Sequence, residues 1–178
     1  MHIFLTGEIQ VGKSTVIAKT LSLLDITPGG FRTYFGPDRK SPNRLLYMNS
    51  ASEAPIYKQD NAIAIFSENK PPQPLTDKFD IFGSELIRAA RANSKLILMD
   101  ECGSLERKAF LFQKTVLESL DYETPILGVI KLDSFGWTDQ IKQHPKVKLF
   151  FVTVENRDTL PIMLAKILKP KISSLHNC

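Results

Sequence analysis

At 178 residues the chain is long enough for one α/β domain with a sizeable core and too short for two. Hydrophobic residues at 43% and charged residues at 24% are the proportions of an ordinary soluble protein. The net charge of +4 suits a polyanion such as a nucleoside triphosphate; the lysines and arginines are scattered, so nucleic acid is a disfavoured second partner. Cys102 and Cys178 form no disulfide framework. Cys102 reads as a loop residue beside an acidic pair, and both thiols are expected reduced. The apolar run Ile3–Leu5 is too short for a signal h-region, and no stretch approaches the roughly 20 apolar residues of a membrane span. A cytoplasmic, monomeric protein without membrane contact is expected.

In chain order, His2–Thr6 reads as a buried strand. Lys13–Leu24 has apolar residues at Val16, Ile17, Leu21 and Leu24, which is helical spacing, and Pro28-Gly29-Gly30 ends that pattern. FRTYF, RLLYM and AIAIF, between residues 31 and 67, are short β-rich runs that predict an antiparallel meander. The three prolines of Glu68–Asp77 predict a loop or rigid connector. A helix follows, capped near Asp80, with Phe82, Leu86, Ile87 and Ala90 on one face. Lys95–Glu101 is a continuous apolar strand ending in two acids, the mark of a strand covered on both faces. Leu105–Leu120 reads as helix, Pro125–Lys131 as strand and Trp137–Gln143 as a short helix. Val147–Thr153 reads as the last strand and Arg157–Leu168 as the closing helix. Alternating strands and helices imply a mostly parallel sheet with right-handed crossovers.

Gly7 to Ser14 reads G-x-x-x-x-G-K-S between a strand and a helix, the context a phosphate-cradling loop requires. Gly7 allows the turn and Gly12 admits close backbone approach. The N–H groups of Gly7, Glu8, Ile9, Gln10, Val11 and Gly12 would then form an anion nest, helped by the dipole of the following helix. Lys13 would reach the β- and γ-phosphates, the Ser14 hydroxyl would ligate Mg²⁺, and Thr15 would bond a more proximal phosphate. A chance match at a strand–helix turn is the competing account, and roughly one protein of this length in a hundred would show it.

Asp100 lies at the C-terminal end of its strand, the end where open α/β sheets bind ligands, which makes it the candidate to hold the metal's water shell. Glu101 would polarise an attacking water. Capping of the next helix by Glu101 or Glu106 is the bland alternative. Charge developing on the γ-phosphate usually needs a further cation. Arg32, after Gly-Gly-Phe, is one candidate, and Lys131, at a strand end on the ligand side, is another. Arg39 and Arg44 read as solvated hairpin charges. Asn156 and Arg157 would border the base, or Thr153 or Asn156 would simply cap a helix whose first turn holds Asp158. Trp137 and Phe135 read as core rather than base-stacking rings. His2, His144 and His176 show no ligand spacing and Cys102 has no partner, so zinc is not expected.

Four blocks in order, Gly7–Thr15, Gly29–Thr33, Leu96–Glu106 and Val152–Pro161, together with the FDIFGSELIRAA segment, resemble the signature blocks of one family. It is the P-loop nucleoside-triphosphatase family first described from thermophiles, also called cancer-related nucleoside triphosphatase. The resemblance runs to about Leu168. It implies a RecA-like three-layer sandwich with a mostly parallel central sheet, into which the meander is inserted. It also implies Mg²⁺-dependent hydrolysis of nucleoside triphosphates with broad base tolerance. Gly7, Gly12, Lys13, Ser14 and Thr15 match the family's loop, and Asp100 and Glu101 its acidic pair. Ile9-Gln10 replaces the family's Pro-Gly, and the segment after Thr33 lacks the family's Gly-Phe pair. Two rivals stand beside hydrolysis: a nucleotide or small-molecule kinase, opposed by the absence of an Arg-rich lid after Leu120, and a nucleotide-binding regulatory or RNA-associated protein with little turnover.

Overall fold

The structure, a computed structural model, describes residues 1–174; the Cys178 and His176 expectations lie outside them. Strand β1 (His2–Thr6) is buried along its whole length. It pairs in parallel with β7 (Ile126–Ile130) on one side and β8 (Val147–Phe151) on the other. β7 pairs in turn with β6 (Ile97–Cys102), and β6 with β2 (Gly29–Phe35), again in parallel. From β2 outward the sheet turns antiparallel, through β3 (Arg44–Ser50), β4 (Ala62–Phe66) and the two-residue β5 (Gln73–Pro74). The full order is β5-β4-β3-β2-β6-β7-β1-β8.

Parallel strands between helical layers must be apolar on both faces. Ile3 and Leu5 accordingly pack on one side, against helices α1 (Lys13–Leu24) and α6 (Leu160–Ser174). Phe4 packs on the other side with residues of α3 (Ser84–Asn93), α4 (Phe110–Ser119) and α5 (Trp137–Gln143). That second core centres on Phe112, whose ring lies 5.5 Å from Phe31, 5.6 Å from Phe79 and 6.3 Å from Trp137, centroid to centroid. At the foot of β1, His2 is buried with Nε2 2.9 Å from the Leu120 carbonyl, and burial pushes its pKa down to about 4. The ring is therefore neutral, with Nε2–H as donor and Nδ1 left without a partner.

The expected meander is thus grafted on β2, which also belongs to the parallel sheet through β6. Several boundaries differ from expectation. The proline-rich connector contributes edge strand β5, tolerable because Pro74 needs no ladder donor at an edge. The one-turn helix α2 (Thr76–Lys78) and a π-turn at Phe79–Gly83 precede α3. Asp80 does not cap its own helix; its Oδ1 accepts the Phe112 N–H at 2.9 Å in the first turn of α4. Cys102 is not in a loop but buried at the end of β6, where burial raises its thiol pKa well above the usual value. The Leu105–Leu120 helix is split at Ala109 into a 3₁₀ turn (Leu105–Lys108) and α4. α6 begins at Leu160 rather than Arg157, with Pro161 in its first turn where the missing N–H costs nothing, and it continues through Pro170. Among the described residues no helix is long and apolar enough to cross a membrane.

Candidate functional site

The turn between β1 and α1 is shaped by its glycines. Gly7 has φ +146° and Gly12 φ +111°, both in the region that side chains avoid. A Cβ on Gly7 would lie 2.5 Å from the Val152 carbonyl oxygen, so the loop can pass the end of β8 only without one. Val11 turns its side chain into the core beneath the loop, while Ile9 is 77% exposed. Gln10 also takes a left-handed φ of +64°. The Lys13 ammonium folds back onto the loop, donating to the Gly7 carbonyl at 2.7 Å and the Glu8 carbonyl at 2.8 Å.

Because β7 intervenes between β1 and β6, two strand spacings of about 4.8 Å separate the loop from the acidic pair. That gap of about 10 Å matches the reach of a triphosphate tail. Gly7, Lys13, Ser14, Thr15, Asp100 and Glu101 all open into one cavity of about 520 Å³. Its other walls include Lys131, Asp133 and the meander side chains Phe35, Leu46 and Phe66. Phe35 and Phe66 meet edge to face at 5.1 Å, and the Arg44 guanidinium covers both rings at 5.1 and 5.2 Å. Arg44 is therefore not the loose hairpin charge it was expected to be.

The two acids lie half-buried beside each other. Burial, then the Glu101 charge, pushes the Asp100 pKa up to about 7, against a smaller downward pull from Arg32 and Lys13. Burial likewise raises Glu101, opposed by Lys13 and Lys131. Asp100 and Glu101 are joined by a cis peptide, and the β6–β7 ladder changes register between Met99 and Cys102. A desolvated carboxylate pair of this kind is short of positive charge. Ser14 and Asp100 are hard oxygen donors, the kind Mg²⁺ takes, with water and phosphate supplying the rest. No group of three or more His, Cys, Asp or Glu able to hold a metal exists among the described residues, and a Mg²⁺ site of this type needs none.

Three expected ligands stand outside the cavity. Arg32 is beside Asp100 in the β2–β6 register, and strand alternation puts Phe31 in one core and turns Arg32 and Asp100 to the α1 face. There it lines a separate hollow with Leu21, Asp25 and Glu53, and reaches Asp100 only through its field. Asn156 uses its side chain on its own turn, accepting from Thr153 N–H at 2.9 Å and donating to the Phe151 carbonyl at 2.8 Å. Arg157 lies behind the loop, with Nη1 donating to the Val11 carbonyl at 3.3 Å and Cδ 3.4 Å from where a Gly12 Cβ would be. Trp137 is core as expected, its indole donating to the Gly103 carbonyl at 2.9 Å. Phe135 is not, being 73% exposed beside Lys142. Glu106 caps no helix by side chain; it is buried, accepts the Gly103 N–H at 2.7 Å, and has its pKa pushed up to about 7 by burial.

A family model described as NTPase matches residues 2–165. A nucleoside-triphosphatase THEP1 of Methanocaldococcus jannaschii is 30% identical over 171 residues, spanning 90% of this chain and 92% of that protein. The cancer-related nucleoside-triphosphatase of Homo sapiens is 28% identical over 180 residues, spanning 89% and 92%. Among solved structures, the crystal structure of THEP1 from Aquifex aeolicus aligns with a TM-score of 0.74 at 20% identity, covering 95% of this chain and 99% of that one. At this identity the likeness establishes the fold, a P-loop α/β sandwich.

Proposed function

The chain belongs to the NTPase family of nucleoside-triphosphatases, and from that membership we propose that it hydrolyses nucleoside triphosphates to diphosphate and phosphate. One observation carries the site assignment: the glycine-shaped loop and the half-buried Asp100–Glu101 pair open into the same cavity, a triphosphate's reach apart. The loop amides and Lys13 hold the phosphates, Lys13 exchanging its two loop carbonyls for phosphate oxygens. Ser14 and Asp100 would hold Mg²⁺, which would supply positive charge against the phosphates. Glu101, drawn back toward ionisation by Lys13 and Lys131, orients the attacking water and takes its proton. Broad base tolerance accords with an Asn156 engaged in its own turn and an Arg157 placed behind the loop. A reduced, buried Cys102 and the lack of a membrane-crossing helix among the described residues suit work in the cytoplasm.

The test is phosphate release from the four common ribonucleoside triphosphates, with and without Mg²⁺. Lys13→Ala is expected to lower turnover by on the order of 10²-fold or more, and Glu101→Gln to stop turnover while keeping triphosphate affinity. Normal turnover in Glu101→Gln would remove Glu101 from the role of base. Full activity in Lys13→Ala would remove the loop from the reaction.

A further inference from the structure

Lys131 follows directly on β7, the strand that separates the loop strand from the acidic strand. In an in-line displacement the leaving oxygen is at the loop and the attacking water at Glu101, so the transferring phosphoryl crosses the gap that the end of β7 faces. We infer that Lys131 is a further catalytic residue, the cation that contacts the equatorial oxygens of the γ-phosphoryl group between Lys13 and Glu101. This rests on the hydrolytic reading and adds to it a group supplied by a third strand.

The placement of Lys131 is tightly determined. Its N–H donates to the Cys102 carbonyl at 2.9 Å, and its carbonyl accepts the Ser134 N–H at 3.2 Å. Its stem runs along Gly103, where an added Cβ would lie 3.2 Å from Lys131 Cβ and 3.5 Å from Cδ. Gly103 is itself clamped from both sides, by the Glu106 carboxylate on its N–H and the Trp137 indole on its carbonyl. From this position Lys131 walls both the phosphate cavity and a recess of about 50 Å³ behind Glu101. Lys146, Lys142 and Lys19 each pair with an acid at 2.9–3.0 Å. Among the described residues Lys131 makes no such pair within 4 Å. It nonetheless favours the charged forms of both Glu101 and Glu106. An unpaired ammonium on the wall of an anion cavity is arranged for a ligand's charge. In the transition state, charge grows on the three equatorial oxygens while Lys13 and the loop amides serve mainly the leaving side. Glu106 is then a positioning residue, acting through Gly103 on the lysine stem.

The full chain is tested as Lys131→Met, Lys131→Arg, Glu106→Leu and the double variant Lys131→Met/Glu106→Leu, with Lys13→Ala as control. Lys131→Met is expected to lower kcat roughly 10²-fold with KM changed less than about three-fold. Affinity for nucleoside diphosphate with aluminium fluoride should fall by the same factor as kcat, while affinity for the diphosphate alone stays unchanged. Lys131→Arg should recover most of the loss. Glu106→Leu should lower kcat in the same direction and add little in the double variant. The inference is overturned if Lys131→Met keeps kcat within three-fold, or if it weakens diphosphate alone as much as the aluminium fluoride complex. If Lys13→Ala remains fully active, the hydrolytic reading itself fails; if Lys13→Ala is dead and Lys131→Met is not, only this inference fails.

Discussion

The two rims of the cavity are made of different material. The loop rim is main chain: Gly7 and Gly12 bend it, the core-facing Val11 anchors it, and its most prominent side chain, Ile9, points into solvent. The meander rim is side chain: Phe35, Leu46 and Phe66 project from β2, β3 and β4, with Arg44 stacked across the two rings. Between Gly7 and Gly12, a rim of backbone tolerates changes of side chain and fails when a Cβ is added in the wrong place. A rim of side chains behaves in the opposite way. This explains how the exposed Ile9 and the left-handed Gln10 can stand in the loop without unmaking it.

The difference is open to attack from both sides. Gly7→Ala should have the largest effect, because the added carbon meets the Val152 carbonyl at 2.5 Å and the backbone is in a region alanine resists. Urea unfolding should show a loss of about 3 kcal/mol or more, with triphosphate affinity lost as well. Full affinity in that variant would show that the loop is not held by its backbone.

The foot of the loop strand supplies a pH test. His2 has a folded pKa of about 4 against 6.5 unfolded. A group whose pKa is depressed by folding contributes fully above the unfolded value and loses that contribution as pH falls. Wild-type stability should therefore drop relative to His2→Gln between pH 6.5 and 4, by up to about 3 kcal/mol at 1.36 kcal/mol per unit. Parallel stability curves for the two proteins over that range would refute a buried neutral ring.

On the other rim, Phe66→Ala removes one ring of the edge-to-face pair and one face of the Arg44 stack. Stability should fall by about 1–2 kcal/mol, with kcat within two-fold in a phosphate-release assay. A ten-fold loss of kcat would bring the meander into the chemistry and erase the division of labour between the rims. The smallest effect is expected from Gln10→Gly. It relieves a left-handed φ of +64° and should stabilise the protein by about 0.5–1 kcal/mol without altering triphosphate affinity.

The same contrast governs how much could be read from sequence. β1 and α1 have the bounds their patterns predict, since a strand buried on both faces is an unbroken apolar run and Gly7–Ser14 is a fixed spacing. The loop and the acidic pair were legible because their residue types are set by chemistry within a few positions. What escaped depends on contacts between distant parts of the chain. Asp80 looks like a local cap, yet its acceptor serves Phe112, 32 residues on. Cys102 follows two acids and so reads as loop, but the β6 ladder continues to it. Arg32 was expected at the phosphates on its position alone; it shares the face of Asp100 but opens into a separate hollow beside α1. Pro161 was a usable signal for the later start of α6, since proline favours a helix's first turn. Phe135 carried no signal at all: nothing local marks a phenylalanine that the fold leaves in solvent.

The pairing of β1 has a consequence for the order in which the protein can be made. Its neighbours are the strands at residues 126–130 and 147–151, and Arg157 reaches the loop from 146 positions away. β1 thus waits for strands about 125 to 145 positions later before it has a ladder on both sides. Its contacts are among the most distant in the chain, and such contacts form late. A nascent chain halted before Val147 holds every residue of the phosphate loop and none of the β8 edge against which that loop is bent. Nucleotide capture accordingly reports docking: a chain that binds triphosphate is one in which β8 already lies beside β1.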